Sequence, residues 1–100
     1  MSFTIGIDAS RNRSGGAKTH IIGIINELDT LKHNIAKVHI WSYKELITTL
    51  PNKNWLVKHS PKKLNKSILN QLSWQRWVLP KELKRLSCDI ILNTDAGTIC

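Results

Sequence analysis

Residues 4–28 place an apolar strand, a polar loop, a Gly-Gly pair and an amphipathic helix in direct succession. The strand is expected at residues 4–9, with isoleucines on one side and small residues on the other. The helix follows Gly15 and Gly16, and its apolar side chains recur at helical spacing: Ala17, Ile21, Ile24, Ile25 and Leu28. Such an opening presents backbone N–H groups to an anionic ligand in α/β proteins. This feature therefore predicts an α/β fold.

The rest of the chain continues the alternation of strands and helices. Three further strands are expected at residues 37–43, 54–59 and 89–93, separated by a short helical segment at residues 44–50 and a longer amphipathic helix. Alternating strands and helices imply parallel pairing with right-handed crossovers. We therefore predict a partial Rossmann-like parallel sheet of about four strands in the order 3-2-1-4, flanked by helices.

The longer helix is defined by apolar residues at helical spacing, namely Leu64, Ile68, Leu72 and Leu79, with Leu69 and Trp77 alongside. We expect it to break or kink at Pro80, unless Pro80 instead begins a helical turn over residues 80–86 at its first position. We also expect one or both of Trp74 and Trp77 to pack this helix onto the sheet.

The predicted sheet has a switch point between strands 1 and 4, and ligands of such sheets bind there, outside the carboxyl ends of the strands. The loop with Gly15 and Gly16 and the tail at residues 94–98 should both face this crevice. Glycine backbone, the helix N-terminus and the cations of Arg11 and Arg13 could together hold a phosphate or diphosphate. A tight strand–helix turn with two solvent-facing arginines explains the same residues equally well.

Two common phosphate-binding patterns do not fit this loop. A dinucleotide fold has G-x-G-x-x-G directly after the first strand and an acidic residue at the end of the second, which here ends in Trp-Ser-Tyr at residues 41–43. A P-loop has a four-residue spacer before Gly-Lys-Ser/Thr, and residues 16–19 read Gly-Ala-Lys-Thr without that spacer. The loop is therefore neither of these sites.

Three polar residues near the predicted crevice have ordinary structural interpretations. His20, one turn into the first helix, is expected on the helix surface or packed beside it. Asp8, at the end of the first strand, is expected to accept hydrogen bonds from loop amides. Asp95 either contacts a sugar hydroxyl or caps backbone N–H groups at a loop start.

Composition indicates one globular domain, and we expect it to hold no metal ion or cofactor. The chain has 100 residues, of which 41% are hydrophobic and 22% charged. Cys88 and Cys100 form neither a metal spacing nor a disulfide framework, which favours free thiols in a reducing cytoplasm. The N-terminus has no basic segment before its apolar strand, so a signal peptide is not expected.

The charge balance favours anionic partners. Lysine and arginine total 15 against seven acidic residues, a formal charge of +8, and most of the basic residues lie in the second half. Trp74 and Trp77 with Lys63, Lys66 and Arg76 suit an anionic membrane surface. Nucleic acid is disfavoured because no recognised nucleic-acid-binding motif accompanies the charge.

The order of several motifs resembles the N-terminal domain of retaining GT-B glycosyltransferases, the large bacterial group of mannosyl- and glucosyltransferase-like enzymes. The first strand is followed by Ser14-Gly15-Gly16 and a helix. Trp74-Gln75 and Leu79-Pro80 resemble the W-x-Q/E…LP segment that precedes the fourth strand, and Asp89-Ile90-Ile91 follows at the usual spacing. The resemblance covers essentially all 100 residues but only about the first half of such a domain.

The resemblance implies a two-domain enzyme that transfers a sugar from a nucleotide-sugar donor to a saccharide or lipid-linked acceptor. It implies that Gly15 and Gly16 lie near the donor diphosphate, with Arg13 beside them, and Asp95 is a candidate sugar contact. It places the donor-binding domain and its paired glutamates outside residues 1–100, so no catalytic residue is assigned and the chain alone is expected to be inactive. The fourth strand would then be an apolar sheet edge of an incomplete N-terminal, acceptor-side domain.

The rival interpretation is a small, basic, non-enzymatic α/β module that binds nucleic acid or an anionic membrane surface. Under either interpretation we expect a cytoplasmic protein, and contact through the tryptophan-rich helix would place it at the inner face of the membrane.

Overall fold

The computed structural model describes residues 2–10, 15–65 and 68–93 and confirms the α/β architecture. The strands are β1 (Phe3–Asp8), β2 (Ile35–Trp41), β3 (Leu56–His59) and β4 (Ile90–Asn93). The helices are α1 (Gly15–Glu27), α2 (Lys44–Thr49), α3 (Ile68–Ser73) and α4 (Leu79–Arg85), with a 3₁₀ turn at Lys62–Asn65 and a π-helical turn at Trp74–Val78. All four strands are parallel, in the predicted order β3-β2-β1-β4.

The register of the sheet aligns the carboxyl ends of the strands. Asp8 pairs with Trp41 of β2 on one side and Asn93 of β4 on the other, and Trp41 pairs with His59 of β3. Paired residues of neighbouring strands project from the same face of a sheet. Asp8, Trp41 and His59 therefore form one row across the carboxyl edge.

Helix α4 packs on the face of the sheet that carries this row. Gly6 lies two residues before Asp8 and so projects from the same face. A Cβ atom built on Gly6 would lie 2.7 Å from Leu83 Cδ2 of α4 and 3.2 Å from the ring of Trp41. Glycine at this position permits the close approach of helix and strand.

Buried apolar side chains from the sheet and the helices form one hydrophobic cluster. Its most completely buried members, each 2% exposed or less, include Ile7, Ile21, Ile25, Val38, Ile40, Trp41, Leu46, Leu64 and Trp74. The predicted first helix therefore contributes Ile21 and Ile25 to the core, as its periodicity required.

The amphipathic segment, for which a break or kink at Pro80 or a new helical turn over residues 80–86 was expected, is divided into three parts, and the last of them is α4. Helix α3 begins at Ile68, the π-helical turn follows it, and Pro80 lies in the first turn of α4. The backbone N–H of Leu79 bonds to the Trp74 carbonyl, five residues earlier. Proline lacks an N–H and its ring clashes with the carbonyl four residues before it, so the wider turn accommodates Pro80 without a break.

The apolar side chains of this segment lie only partly in the core. Leu64 and Leu79 are buried as expected, and Trp74 is the tryptophan that packs onto the sheet. Four other large apolar side chains of the segment are exposed: Ile68, Leu69, Leu72 and Trp77. The π-helical turn adds a residue to the repeat and so shifts which side faces the sheet.

Strand β4 lies at the end of the described sheet. It pairs with β1, and the three apolar side chains of Ile90, Ile91 and Leu92 are 41–44% exposed. The turn that leads into it has the hydrogen bonds of a helix C-terminal cap, from Ser87 N–H to the Lys84 carbonyl and from Cys88 N–H to the Leu83 carbonyl. The fourth strand predicted at residues 89–93 is therefore confirmed, with its start one residue later.

Candidate functional site

The candidate site is the carboxyl edge of the sheet around Asp8. The Asp8 side chain is 1% exposed, and its Oδ1 atom accepts hydrogen bonds from the Ser10 backbone N–H at 3.1 Å and the Ser10 hydroxyl at 2.6 Å. This confirms the prediction that Asp8 accepts a hydrogen bond from a loop amide. A buried carboxylate needs such partners because its desolvation is otherwise costly. Asp8 therefore holds the start of the loop that leads to α1.

Gln75 ties the π-helical turn to the same carboxylate. Its Nε2 atom donates a hydrogen bond of 2.5 Å to Asp8 Oδ2, across 67 residues of sequence. The preceding residue, Trp74, is buried with its ring centroid 6.5 Å from that of Trp41. The Trp-Gln dipeptide thus makes one apolar and one polar contact with the sheet, and both are at the carboxyl edge.

The rim beside Asp8 is held by hydrogen bonds between the segments that follow β1 and β2. Ala9 N–H donates to the Trp41 carbonyl at 2.9 Å, and the Ser42 hydroxyl donates to the Ala9 carbonyl at 2.7 Å. Ser42 N–H in turn donates to the His59 carbonyl at the end of β3. The buried Ser42 therefore connects three neighbouring strand ends.

Helix α1 begins at Gly15, so both glycines lie in its first turn. Both are exposed, and a Cβ atom on either would meet nothing within 4 Å. The first turn of α1 carries no acidic residue, so its N-terminal partial positive charge has no carboxylate partner there. Contacts within the described chain do not account for the two glycines.

Lys18 and Tyr43 are described residues near the start of α1 and α2. The Lys18 ammonium lies 5.7 Å from the centre of the Tyr43 ring and 4.0 Å from a Glu45 carboxylate oxygen. Tyr43 is buried, whereas Glu45 is exposed. Sequence reasoning did not identify this contact, since it depends on how α1 packs beside the chain after β2.

Several residues singled out from the sequence lie outside the described residues. Arg13, Asp95 and Lys66 are among them, as is the tail at residues 94–98. His20 is described and exposed on α1, which agrees with its expected position on the helix surface. Of the four predicted binding residues, Gly15 and Gly16 are therefore the pair whose placement is known.

A second polar cluster, a pair of histidines, was not predicted. His39 Nδ1 and His59 Nε2 are 2.9 Å apart and share a hydrogen bond. The His59 ring stacks on Trp41 with centroids 4.8 Å apart and an interplanar angle of 13°. His39 lies two residues before Trp41 in β2, and Trp41 pairs with His59 of β3. Both histidines therefore project from the face that carries Trp41, so the strand pairing, once known, indicates this contact.

Burial lowers the pKa of both histidines. For His39, the nearby charges of Lys37 and Arg85 lower the pKa further. For His59, His39 and Arg85 lower the pKa, while Glu82 opposes them. The pair is therefore uncharged at neutral pH, with one ring donating and the other accepting.

The described residues contain neither a candidate metal site nor a helix that could cross a membrane. Within residues 2–10, 15–65 and 68–93, no group of three or more His, Cys, Asp or Glu side chains is placed to hold a metal ion. No helix in this part of the chain is both long and apolar enough to cross a bilayer.

Comparisons with known proteins were made at three levels. No protein-family model, no curated protein and no solved structure matches this chain. The function of the chain is therefore inferred from its residues and from the geometry described above.

Proposed function

We propose that this chain is the N-terminal, acceptor-side part of a retaining GT-B glycosyltransferase. Such an enzyme transfers a sugar from a nucleotide-sugar donor to a saccharide or lipid-linked acceptor. The parallel sheet in the order β3-β2-β1-β4 supports the proposal because its switch point lies between β1 and β4. The start of α1 at Gly15, soon after β1, supports it as well.

The observation that supports this proposal most strongly is the hydrogen bond between Gln75 and Asp8. It joins the Trp-Gln segment to the end of β1, and these are two of the motifs on which the family resemblance depends. The bond holds the beginning of the glycine loop through Asp8 and Ser10. In this proposal, Gln75 positions the loop and does not itself contact the reacting atoms.

The glycines supply the second supporting argument. Glycine in a helix is less favourable than alanine by about 0.5–1 kcal/mol. Neither Gly15 nor Gly16 has a left-handed backbone, and no described residue lies close enough to require glycine there. Close approach of a ligand diphosphate to the backbone N–H groups explains why a Cβ atom is absent at both positions. Arg13 would add a cation, and Asp95 would contact a hydroxyl of the sugar.

The proposal is tested by titrating the isotope-labelled chain with uridine and guanosine diphosphate sugars and following backbone amide resonances. We expect the largest shifts at the amides of Gly15 and Gly16. Shifts confined to the lysine- and arginine-rich second half, or equal shifts with inorganic diphosphate at every site, would contradict the proposal.

Substitutions at Gly16 separate ligand binding from folding. Gly16→Asp places a carboxylate at a helix N-terminus, where it stabilises the helix by about 0.3–1 kcal/mol but repels a diphosphate. We expect this variant to fold and to lose the ligand-induced shifts. Gly23→Ala is the matched control, because a Cβ atom there also meets nothing within 4 Å and the residue lies in the middle of α1.

The proposal also predicts that the 100-residue chain does not transfer sugar. The family resemblance assigns the paired glutamates and most donor contacts to a second domain. Sugar transfer by the purified chain, measured with a labelled donor and a lipid-linked or saccharide acceptor, would show that this division of roles is wrong.

A further inference from the structure

Within the described part of the chain, the outer side of the segment from α3 to α4 carries an apolar surface that no other element covers. Four large side chains form it, and we call them the outward apolar face: Ile68, Leu69, Leu72 and Trp77. They are 56%, 75%, 40% and 63% exposed, respectively. Clusters of exposed apolar side chains on one helix face mark a surface that another molecule covers.

The helix geometry explains why the three aliphatic residues of this face share a side. Ile68 and Leu72 are one helical turn apart, and Leu69 lies next to them. The π-helical turn then directs Trp74 into the core and leaves Trp77 outside. The outward apolar face is therefore a second stripe, distinct from the one that packs onto the sheet.

Basic residues accompany this stripe. The segment Ile68–Arg85 contains four basic residues, Arg76, Lys81, Lys84 and Arg85, against the single acidic residue Glu82. All four are exposed, and the Arg76 guanidinium lies 5.2 Å from the centre of the Trp77 ring. Arg85 is paired with Glu82 at 2.7 Å. The segment thus combines exposed aliphatic side chains, an exposed aromatic ring with a cation over it, and net positive charge.

This combination matches an anionic lipid surface better than a nucleic acid. Nucleic-acid binding uses aromatic rings on which bases stack, and three of the four apolar residues here are aliphatic. Amphipathic helices that lie in a bilayer interface bury aliphatic side chains among the acyl chains, with tryptophan at the headgroups and lysine or arginine beside anionic lipids.

We propose that the outward apolar face binds the surface of an anionic phospholipid bilayer. Leu69 and Trp77 enter the boundary between headgroups and acyl chains, while Arg76 and the lysines of α4 contact lipid phosphates. This inference depends on the exposed surface alone and does not require the proposed glycosyltransferase function.

The test is co-sedimentation of the 100-residue chain with vesicles of mixed phosphatidylcholine and phosphatidylglycerol, compared with phosphatidylcholine alone. We expect binding to the anionic vesicles, and weaker binding as salt is raised. Equal binding to both vesicle types, or binding to neither, would overturn the proposal.

Single substitutions distinguish the face from general charge attraction. Leu69→Ser and Trp77→Ser should each weaken vesicle binding about tenfold, since each removes an inserted apolar side chain. Leu31→Ser is the matched control: Leu31 is 91% exposed but lies between α1 and β2, so its loss should leave vesicle binding unchanged. If all three variants bind like the parent chain, the attraction is only electrostatic and the proposal is wrong.

Two further measurements identify other occupants of the face. If Leu69→Ser converts a dimer to a monomer in size-exclusion chromatography, a second copy of the chain covers the face and the lipid proposal is overturned. If a single-stranded oligonucleotide binds as tightly as the vesicles and is lost with Trp77→Ser, nucleic acid is the partner instead. Unchanged circular dichroism spectra of the variants confirm that each remains folded.

Discussion

Trp74 and Trp77 lie in the same π-helical turn, yet their side chains are 2% and 63% exposed. Their neighbours divide in the same way. Gln75 donates to Asp8 at the sheet edge, whereas Arg76 lies over the ring of Trp77. The residues on the inner side of this turn are therefore held by contacts with the sheet. Those on its outer side make no packing contact with the sheet in the described chain.

The largest expected effect compares the two tryptophans directly. Trp74→Ala removes a buried ring from the core and should lower the free energy of unfolding by about 3–5 kcal/mol, a large fraction of the stability of a small domain. Trp77→Ala should change it by less than about 0.5 kcal/mol. Urea unfolding followed by far-UV circular dichroism measures both, and equal losses would contradict the division into inner and outer sides.

Gln75 and Arg76, which lie between the two tryptophans, provide the second comparison. Gln75→Ala leaves the buried Asp8 carboxylate without one of its donors and should cost about 1.5–3 kcal/mol of unfolding free energy. Arg76→Ala, the outward control, should cost little because its contact is with an exposed ring. Both variants are measured in the same urea unfolding assay. If Gln75→Ala lowers the free energy of unfolding less than Arg76→Ala does, the hydrogen bond between Gln75 and Asp8 does not stabilise the fold as described.

Sheet topology could be predicted from the sequence because alternating strands and helices permit few arrangements. The position of Asp8 at the end of β1 followed from local pattern, as did the packing of at least one of Trp74 and Trp77 onto the sheet, but not which of the two it is. The orientation of the apolar stripe did not follow from the sequence: periodicity groups Ile68, Leu69 and Leu72 on one helix but does not say whether that side faces the sheet.

Contacts between distant residues could not be predicted at all. The bond from Gln75 to Asp8 spans 67 residues, and the His39–His59 pair spans 20. Both depend on register and helix placement, which arise from tertiary packing. The π-helical turn was also missed, although Pro80 marks the position where the helix has to adjust.

The close approach of α4 to the sheet gives the third prediction. Gly6→Ala places a Cβ atom 2.7 Å from Leu83 Cδ2 and 3.3 Å from Cys88 Sγ, so it should lower the free energy of unfolding by about 1–3 kcal/mol. Gly23→Ala meets no atom within 4 Å in α1 and should raise it by about 0.5–1 kcal/mol. Thermal unfolding midpoints that shift in the same direction for both variants would contradict the packing described.

At neutral pH, the smallest expected effect on the free energy of unfolding concerns His39 and His59, the histidine pair on the face of the sheet that carries Trp41. Because the pKa values of His39 and His59 are lowered in the folded state, the unfolded chain binds more protons below the ordinary histidine pKa of about 6.5. The pair therefore adds no pH dependence above that pKa, and stability falls as the pH drops through the lower folded values.

A pH series of unfolding midpoints tests this prediction. We expect the double variant His39→Gln, His59→Gln to lose most of the decline between neutral and mildly acidic pH. An unchanged decline in that variant would assign the acid sensitivity to other groups.

Both functional proposals depend on one structural claim, that the Trp74–Val78 turn has an inner side tied to the sheet and an outer side open to solvent. The most direct test is paramagnetic broadening of the tryptophan indole N–H resonances by a soluble gadolinium complex. We predict strong broadening for Trp77 and protection for Trp74 and Trp41. Equal broadening of Trp74 and Trp77, or protection of Trp77 in the monomer, would contradict the claim.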